Sequence, residues 1–139
     1  MGADVGFSLR NNIPRITRML PEEFEQALLK SAIQVNNEVR RTLTGQRTGK
    51  LYKVAGTKRT YRASSPAEPP AVRLGHLRNS YQYKVKGNGF RAQAFVGSPL
   101  DYAHYLEYGT AHMRPRRHLS VAFKKIAPKI MKNFEKLIK

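Results

Sequence analysis

Phe24, Leu28, Ala32, Val35, Val39 and Leu43 recur at spacings of four and three, and this stripe constrains the fold more than any other feature of the chain. An α-helix places all six on one side, so residues 21–43 predict a long amphipathic helix that needs an apolar partner. Its start is well marked: proline tolerates the first turn, and Glu22 and Glu23 offset the positive end of the helix dipole. Gly45 is a plausible stop. A second stripe, Leu119, Phe123, Ile126, Ile130, Phe134 and Leu137, predicts a C-terminal helix over 118–138. Pro128 lies inside it and should kink it or remove one hydrogen bond. Leu9, Ile13, Ile16 and Leu20 could form a further short helix, with Pro14 near its start.

Between the two long helices the period changes. Tyr81, Tyr83 and Val85 alternate with polar residues, Gly87-Asn88-Gly89 reads as a turn, and Phe90, Ala92, Ala94 and Val96 alternate on the return. That predicts an antiparallel hairpin over 81–96. Residues 74–80 suggest a helical turn. DYAHYLEYGT, from Asp101, suggests a short helix with Asp101 as its cap and Gly109, in a left-handed conformation, as its stop. Residues 44–72 show no period; Pro66, Pro69 and Pro70 exclude helix there and favour extended backbone. They read as a long, adaptable, basic arm that orders against a partner. The expected fold is α+β: a small antiparallel sheet packed by the two long helices, in one domain over 1–139 with the arm at 44–72.

The charge narrows the partners. Lys and Arg number 26 against nine Asp and Glu, a formal net charge of +17. Such an excess repels itself and favours a polyanionic or acidic neighbour. It is also uneven: between Val39 and Gly97 the only carboxylate is Glu68, against thirteen Lys and Arg. With no cysteine, disulfides, thiolate nucleophiles and thiolate metal sites are excluded. No apolar run approaches the roughly 20 residues of a membrane span, and the N-terminus lacks the pattern of a secretory signal.

Motifs that could carry chemistry are weak. Gly45-Gln-Arg-Thr-Gly49-Lys50 has three residues between its glycines where a phosphate-binding loop has four, and Leu51 follows where Ser or Thr should. His76, His104, His112 and His118 lack the paired spacing of a helical zinc site. Asp101 and Glu107 are explained by helix capping and a last helical turn rather than as a catalytic pair. The expectation is no enzyme, no cofactor and no metal. The stretch Lys50–Arg62, with Tyr52 and Tyr61, could bind single-stranded nucleic acid by charge and stacking, or dock on an acidic protein surface.

Three stretches together carry a resemblance: RTGKLYK at 47–53, RASSPAEPPAVRLGHLRNSY at 62–81 and DYAHYLEYGTAHMRPRRHL at 101–119. In order and separation they are similar to the tail-completion (head–tail joining) proteins of long-tailed bacteriophages. Ala67 stands where that family usually has Gly, Leu74 where it usually has Thr, and Arg117-His118 where Pro-Phe is common.

The resemblance implies a structural virion protein of the phage neck, made in the bacterial host cytoplasm, that forms a ring, six-fold by expectation. The ring would sit between the head-closure or connector ring and the tail terminator or tail-tube ring, with double-stranded DNA passing through without sequence reading. The alternative is a small basic nucleic-acid-binding module. Subunit or partner contacts are expected at Tyr102, Glu107, Tyr108, Gly109, Thr110, Arg114, Pro115 and Arg116, with Glu107 dispensable for folding. Arg47, Lys50, Lys53, Lys58, Arg59 and Arg62 on the arm are expected to face DNA or to dock on a partner.

Overall fold

In the computed structural model, residues 20–137 are described; the short helix suggested around Leu9, Ile13 and Ile16 lies outside them. Along the chain come α1 (Pro21–Thr44), β1 (Leu51–Lys53), β2 (Thr60–Arg62), α2 (His76–Ser80) and β3 (Gln82–Lys86). A 3-10 turn (Gly89–Arg91), β4 (Gln93–Gly97), α3 (Asp101–Tyr108) and α4 (Leu119–Glu135) follow. The fold is α+β, with β1–β2 and β3–β4 as two separate two-stranded antiparallel sheets.

α1 forms where the stripe predicts it. Glu23 accepts the Leu20 N–H at 3.1 Å, which satisfies one of the free donors at the helix start. The helix ends at Gly45, whose N–H donates to the Arg41 carbonyl, but that glycine is extended (φ −60°, ψ 165°) rather than left-handed. Its apolar face packs against α4 and against the β3–β4 hairpin. One core results: Phe24, Leu28, Ala32, Val35 and Val39 from α1 meet Ala94 and Val96 from β4 and Ala122, Ile126, Ile130 and Phe134 from α4. Burying each of the larger aliphatic side chains contributes about 2 kcal/mol. Polar contacts set the α1–α4 register. Asn133 donates to Ser31 Oγ and to Gln34 Oε1, and Glu38, itself buried, takes the Lys125 ammonium at 2.8 Å.

The β3–β4 register pairs Tyr83 with Val96 and Val85 with Ala94 on the core face, and Lys84 with Phe95 on the outer face. The turn is longer than Gly87-Asn88-Gly89, because the 3-10 turn takes up Phe90. The Phe90 ring leaves the strand and packs 5.7 Å from Phe24, which also meets Phe134 at 5.5 Å. Tyr81 precedes the strand and is buried; Tyr83 stays 42 % exposed. At α3 the cap position is Leu100, and Asp101 is the first helical residue, acting on the helix dipole.

The 44–72 arm is more structured than its composition suggests. Leu51 pairs with Arg62, Tyr52 with Tyr61 and Lys53 with Thr60. The base is closed by Gly49 N–H to the Ala63 carbonyl and Ala63 N–H to the Lys50 carbonyl, both 2.8 Å. Glu68 clips it further, accepting the Thr48 N–H, the Thr48 hydroxyl and the Ser65 N–H. The Thr48 hydroxyl leads the causes that hold the Glu68 carboxyl below its usual range. A side chain at Gly49 would put its Cβ 2.4 Å from the Ala63 oxygen, so this glycine permits a close backbone approach and is no part of a phosphate loop.

Candidate functional site

The best-defined constellation lies where α3, the turn after it and the start of α4 meet. Glu107 is 3 % exposed. Its Oε2 accepts the N–H groups of His118 (2.9 Å) and Leu119 (3.0 Å), and its Oε1 accepts that of Ser120 (3.0 Å). Those are donors that no residue within α4 can satisfy, so a carboxylate from another helix caps α4 at its positive end. Burial pushes the Glu107 carboxyl up, but these N–H groups outweigh it and the net direction is down. The cap position of α4 is His118, and its ring is turned elsewhere.

That ring is fully buried and stands edge-on to Tyr81. Nδ1 lies 3.1 Å from the Arg116 carbonyl and 3.4 Å from Glu107 Oε2. Both are acceptors, so the proton belongs on Nδ1, and Nε2 accepts the Tyr81 hydroxyl at 2.5 Å. Burial lowers the His118 pKa, and burial followed by the charge of Glu107 raises that of Tyr81. A Tyr–His–Glu series could suggest a proton relay, but Tyr81 and His118 are closed to solvent and offer a substrate nowhere to sit. Its task is to hold α2, α3 and α4 together.

The folded protein therefore keeps His118 neutral where the unfolded chain protonates it. Stability should be level down to about the ordinary histidine value of 6.5 and fall below it; a second loss should begin below the ordinary glutamate value of 4.5 as Glu107 takes a proton. Replacing His118 by Gln should remove the first decline and leave the second. Thermal melts across pH read this directly, and an unchanged decline between pH 6.5 and 5 in H118Q would contradict it.

The turn is built around Gly109, at φ 77° and ψ 176°, a conformation open in practice to glycine alone. Its φ is positive as expected, but its ψ lies outside the left-handed helical region. Thr110 and Met113 bridge, and the Arg116 N–H returns to the Leu106 carbonyl at 2.6 Å. The Arg116 guanidinium then donates to the carbonyl (3.0 Å) and hydroxyl of Ser64, joining the turn to the base of the arm. Arg47 closes the other side, donating to the carbonyls of Thr42, Gln46 and Pro70.

The expected contact residues thus divide. Tyr102, Tyr108, Thr110, Arg114 and Pro115 are exposed, whereas Glu107, Gly109 and Arg116 build the scaffold beneath them. Tyr105, 52 % exposed, joins the surface set; its one-turn spacing from Tyr102 and Tyr108 was visible in the sequence. His104 lies 4.8 Å from Tyr108, so α3 presents an outward aromatic face. Beside it runs a groove of about 230 Å³ lined by Leu43, Val72, Leu74, Leu77, Tyr102 and Leu106. On the arm, Lys50, Lys53, Lys58 and Arg59 are exposed, while Arg47 is held by carbonyls and Arg62 donates to that of Gly49. Tyr52 and Tyr61 stack on each other at 5.8 Å, which takes one face of each ring from any nucleobase. His118, Tyr81 and Glu68 went unnoticed as organisers, because nothing local in the sequence marks a remote cap or clip.

Among the described residues no cluster of His, Asp and Glu could hold a metal ion, and no helix is long and apolar enough to cross a membrane. What the surface offers is docking: an aromatic helix face, an apolar groove and a basic hairpin on one braced base. Residues 7–109 match the HK97-gp10-like family model, described as "Bacteriophage HK97-gp10, putative tail-component", and the chain belongs to that family. It is accordingly a virion-associated tail component with a structural role. No curated protein and no solved structure shows significant similarity to it.

Proposed function

We propose that this chain is a non-enzymatic subunit of a ring in the phage neck that joins the tail to the DNA-filled head. In this reading six copies close the ring. One side meets the head-closure or connector ring and the other meets the tail terminator or tail-tube ring, with double-stranded DNA in the lumen. The observation that carries it is the braced aromatic face of α3. Tyr102, Tyr105 and Tyr108 are each more than 40 % exposed on a helix of eight residues, over a buried capped junction. Exposed tyrosines on a rigid base are typical anchors of protein interfaces. The arm supports the same reading. Its exposed Leu51 and Tyr52 beside Lys50, Lys53, Lys58 and Arg59 suit a slot with apolar walls and an acidic rim on a neighbouring ring.

The double variant Tyr105→Ser, Tyr108→Ser should melt within about 1 kcal/mol of the unaltered protein, since both side chains are exposed. In phage carrying it, electron micrographs should show full heads and finished tails that are not joined. Normal joining by that variant would remove α3 from the interface. The free chain should sediment as a monomer, and a stable ring of the isolated protein would show that partners are not needed for closure.

A further inference from the structure

We infer that the exposed side of the α1–α4 pair is the surface that faces DNA, through a stripe of lysines on α4. This rests on the reading that DNA passes through the ring, and assigns that role to a surface other than the arm.

Lys125, Lys129, Lys132 and Lys136 follow one another at spacings of four, three and four, which brings them within about 60° on the helix and spreads them over about 16 Å. All four are exposed, and their stripe lies on the flank of α4 away from Ile126, Ile130 and Phe134. The contacts between helices fix which side this is. Asn133 reaches Gln34, Lys125 reaches Glu38, and Glu38 is also 3.6 Å from Arg41, so the stripe runs along the seam with α1. From α1 the same helical flank carries Lys30 and Arg41, both exposed. Six cations therefore share this side with two carboxylates: Glu38, which is buried and already holds two of them, and Glu23 in the first turn of α1, which accepts the Leu20 N–H.

Like charges one turn apart destabilise a helix. Within this stripe only Glu135, three residues from Lys132, is interleaved, so the lysines repel one another along most of its length and a polyanion alongside would relieve that repulsion. Along one DNA strand a phosphate recurs every 3.4 Å or so of axis, so about 16 Å of lysines spans roughly five phosphates. Both helices are locked in the core, so the stripe is presented without a backbone ordering cost, and lysine ammoniums suit contacts that slide without reading bases. The arm cations, by contrast, sit beside exposed Leu51 and Tyr52, a mixture suited to protein.

The experiment measures binding of the full chain to a random-sequence duplex over a salt series. The variant K129Q/K132Q/K136Q spares Lys125 and its ion pair and relieves like-charge repulsion, so its melting temperature should match or slightly exceed that of the unaltered protein. Its log–log salt slope should fall by about 3 and its low-salt affinity by about tenfold or more. The arm variant K50Q/K53Q/K58Q/R59Q should keep the slope. A loss confined to the arm variant would overturn the assignment but leave DNA passage standing. A stripe variant that binds duplex normally yet gives unjoined particles would make this side a protein interface and also overturn it. No duplex binding by the unaltered chain would overturn the assignment and the DNA-lumen reading together.

Discussion

Replacing Glu107 by Ala should lower stability by about 3 kcal/mol, a drop of roughly 10 °C in melting temperature for a chain of this size. The carboxylate accepts three N–H groups at the start of α4, from His118, Leu119 and Ser120, in a site closed to water. Removing it leaves buried donors without an acceptor, which costs more than an ordinary lost cap. The expectation from sequence was a contact residue that folding could spare. The structure makes it the tie between α3 and α4, so any joining defect in this variant follows from loss of fold. Glu107→Gln separates charge from shape: one amide oxygen still accepts, and the loss should be about 1–2 kcal/mol. Chemical denaturation of both variants provides the check. An alanine variant within about 0.5 kcal/mol of the unaltered protein would show that the donors find other partners.

Gly109→Val should be comparably damaging, at about 3 kcal/mol, by strain instead of a lost hydrogen bond. At φ 77° and ψ 176° the backbone is closed to a branched side chain. A Cβ would also lie 2.8 Å from the Met113 oxygen and 2.9 Å from Pro115 Cδ, two parts of the turn that cannot swing aside as a long side chain could. Relief requires opening the Thr110–Met113 bridge, which would release Arg116 from Leu106 and Ser64 and loosen the arm at its base. The variant should therefore melt early and also be cut faster by trypsin at Lys58 and Arg59. Normal melting would mean that the turn can be rebuilt around a side chain.

His118 illustrates how a departure from a family pattern can keep its physical role. The resembled proteins commonly carry phenylalanine here. The structure buries the ring edge-on to Tyr81, as an aromatic side chain would be, and uses its two nitrogens on the Tyr81 hydroxyl and the Arg116 carbonyl. A phenylalanine could fill the same space, but a histidine there adds an acid response that sets in at higher pH than that of Glu107.

Periodicity alone determined the two long helices and the 82–97 hairpin to within a few residues, because each buries one continuous face and a buried face must repeat with its element. The β1–β2 hairpin was not so determined: three-residue strands with exposed side chains have no period, and Glu68, which clips their base, lies 20 residues from Thr48. Tertiary structure also decided the fate of individual charges. Glu107 and Arg47 read as surface groups, yet one caps a helix 11 residues away and the other holds a carbonyl 23 residues away. Lysines 125, 129, 132 and 136 carry no signal of their own in the sequence; that they flank Lys30 and Arg41 follows only from how α1 lies beside α4. Hydrophobic pattern is written along the chain because water acts on every residue in the same way, whereas the partner of a charge depends on which segments the core brings together.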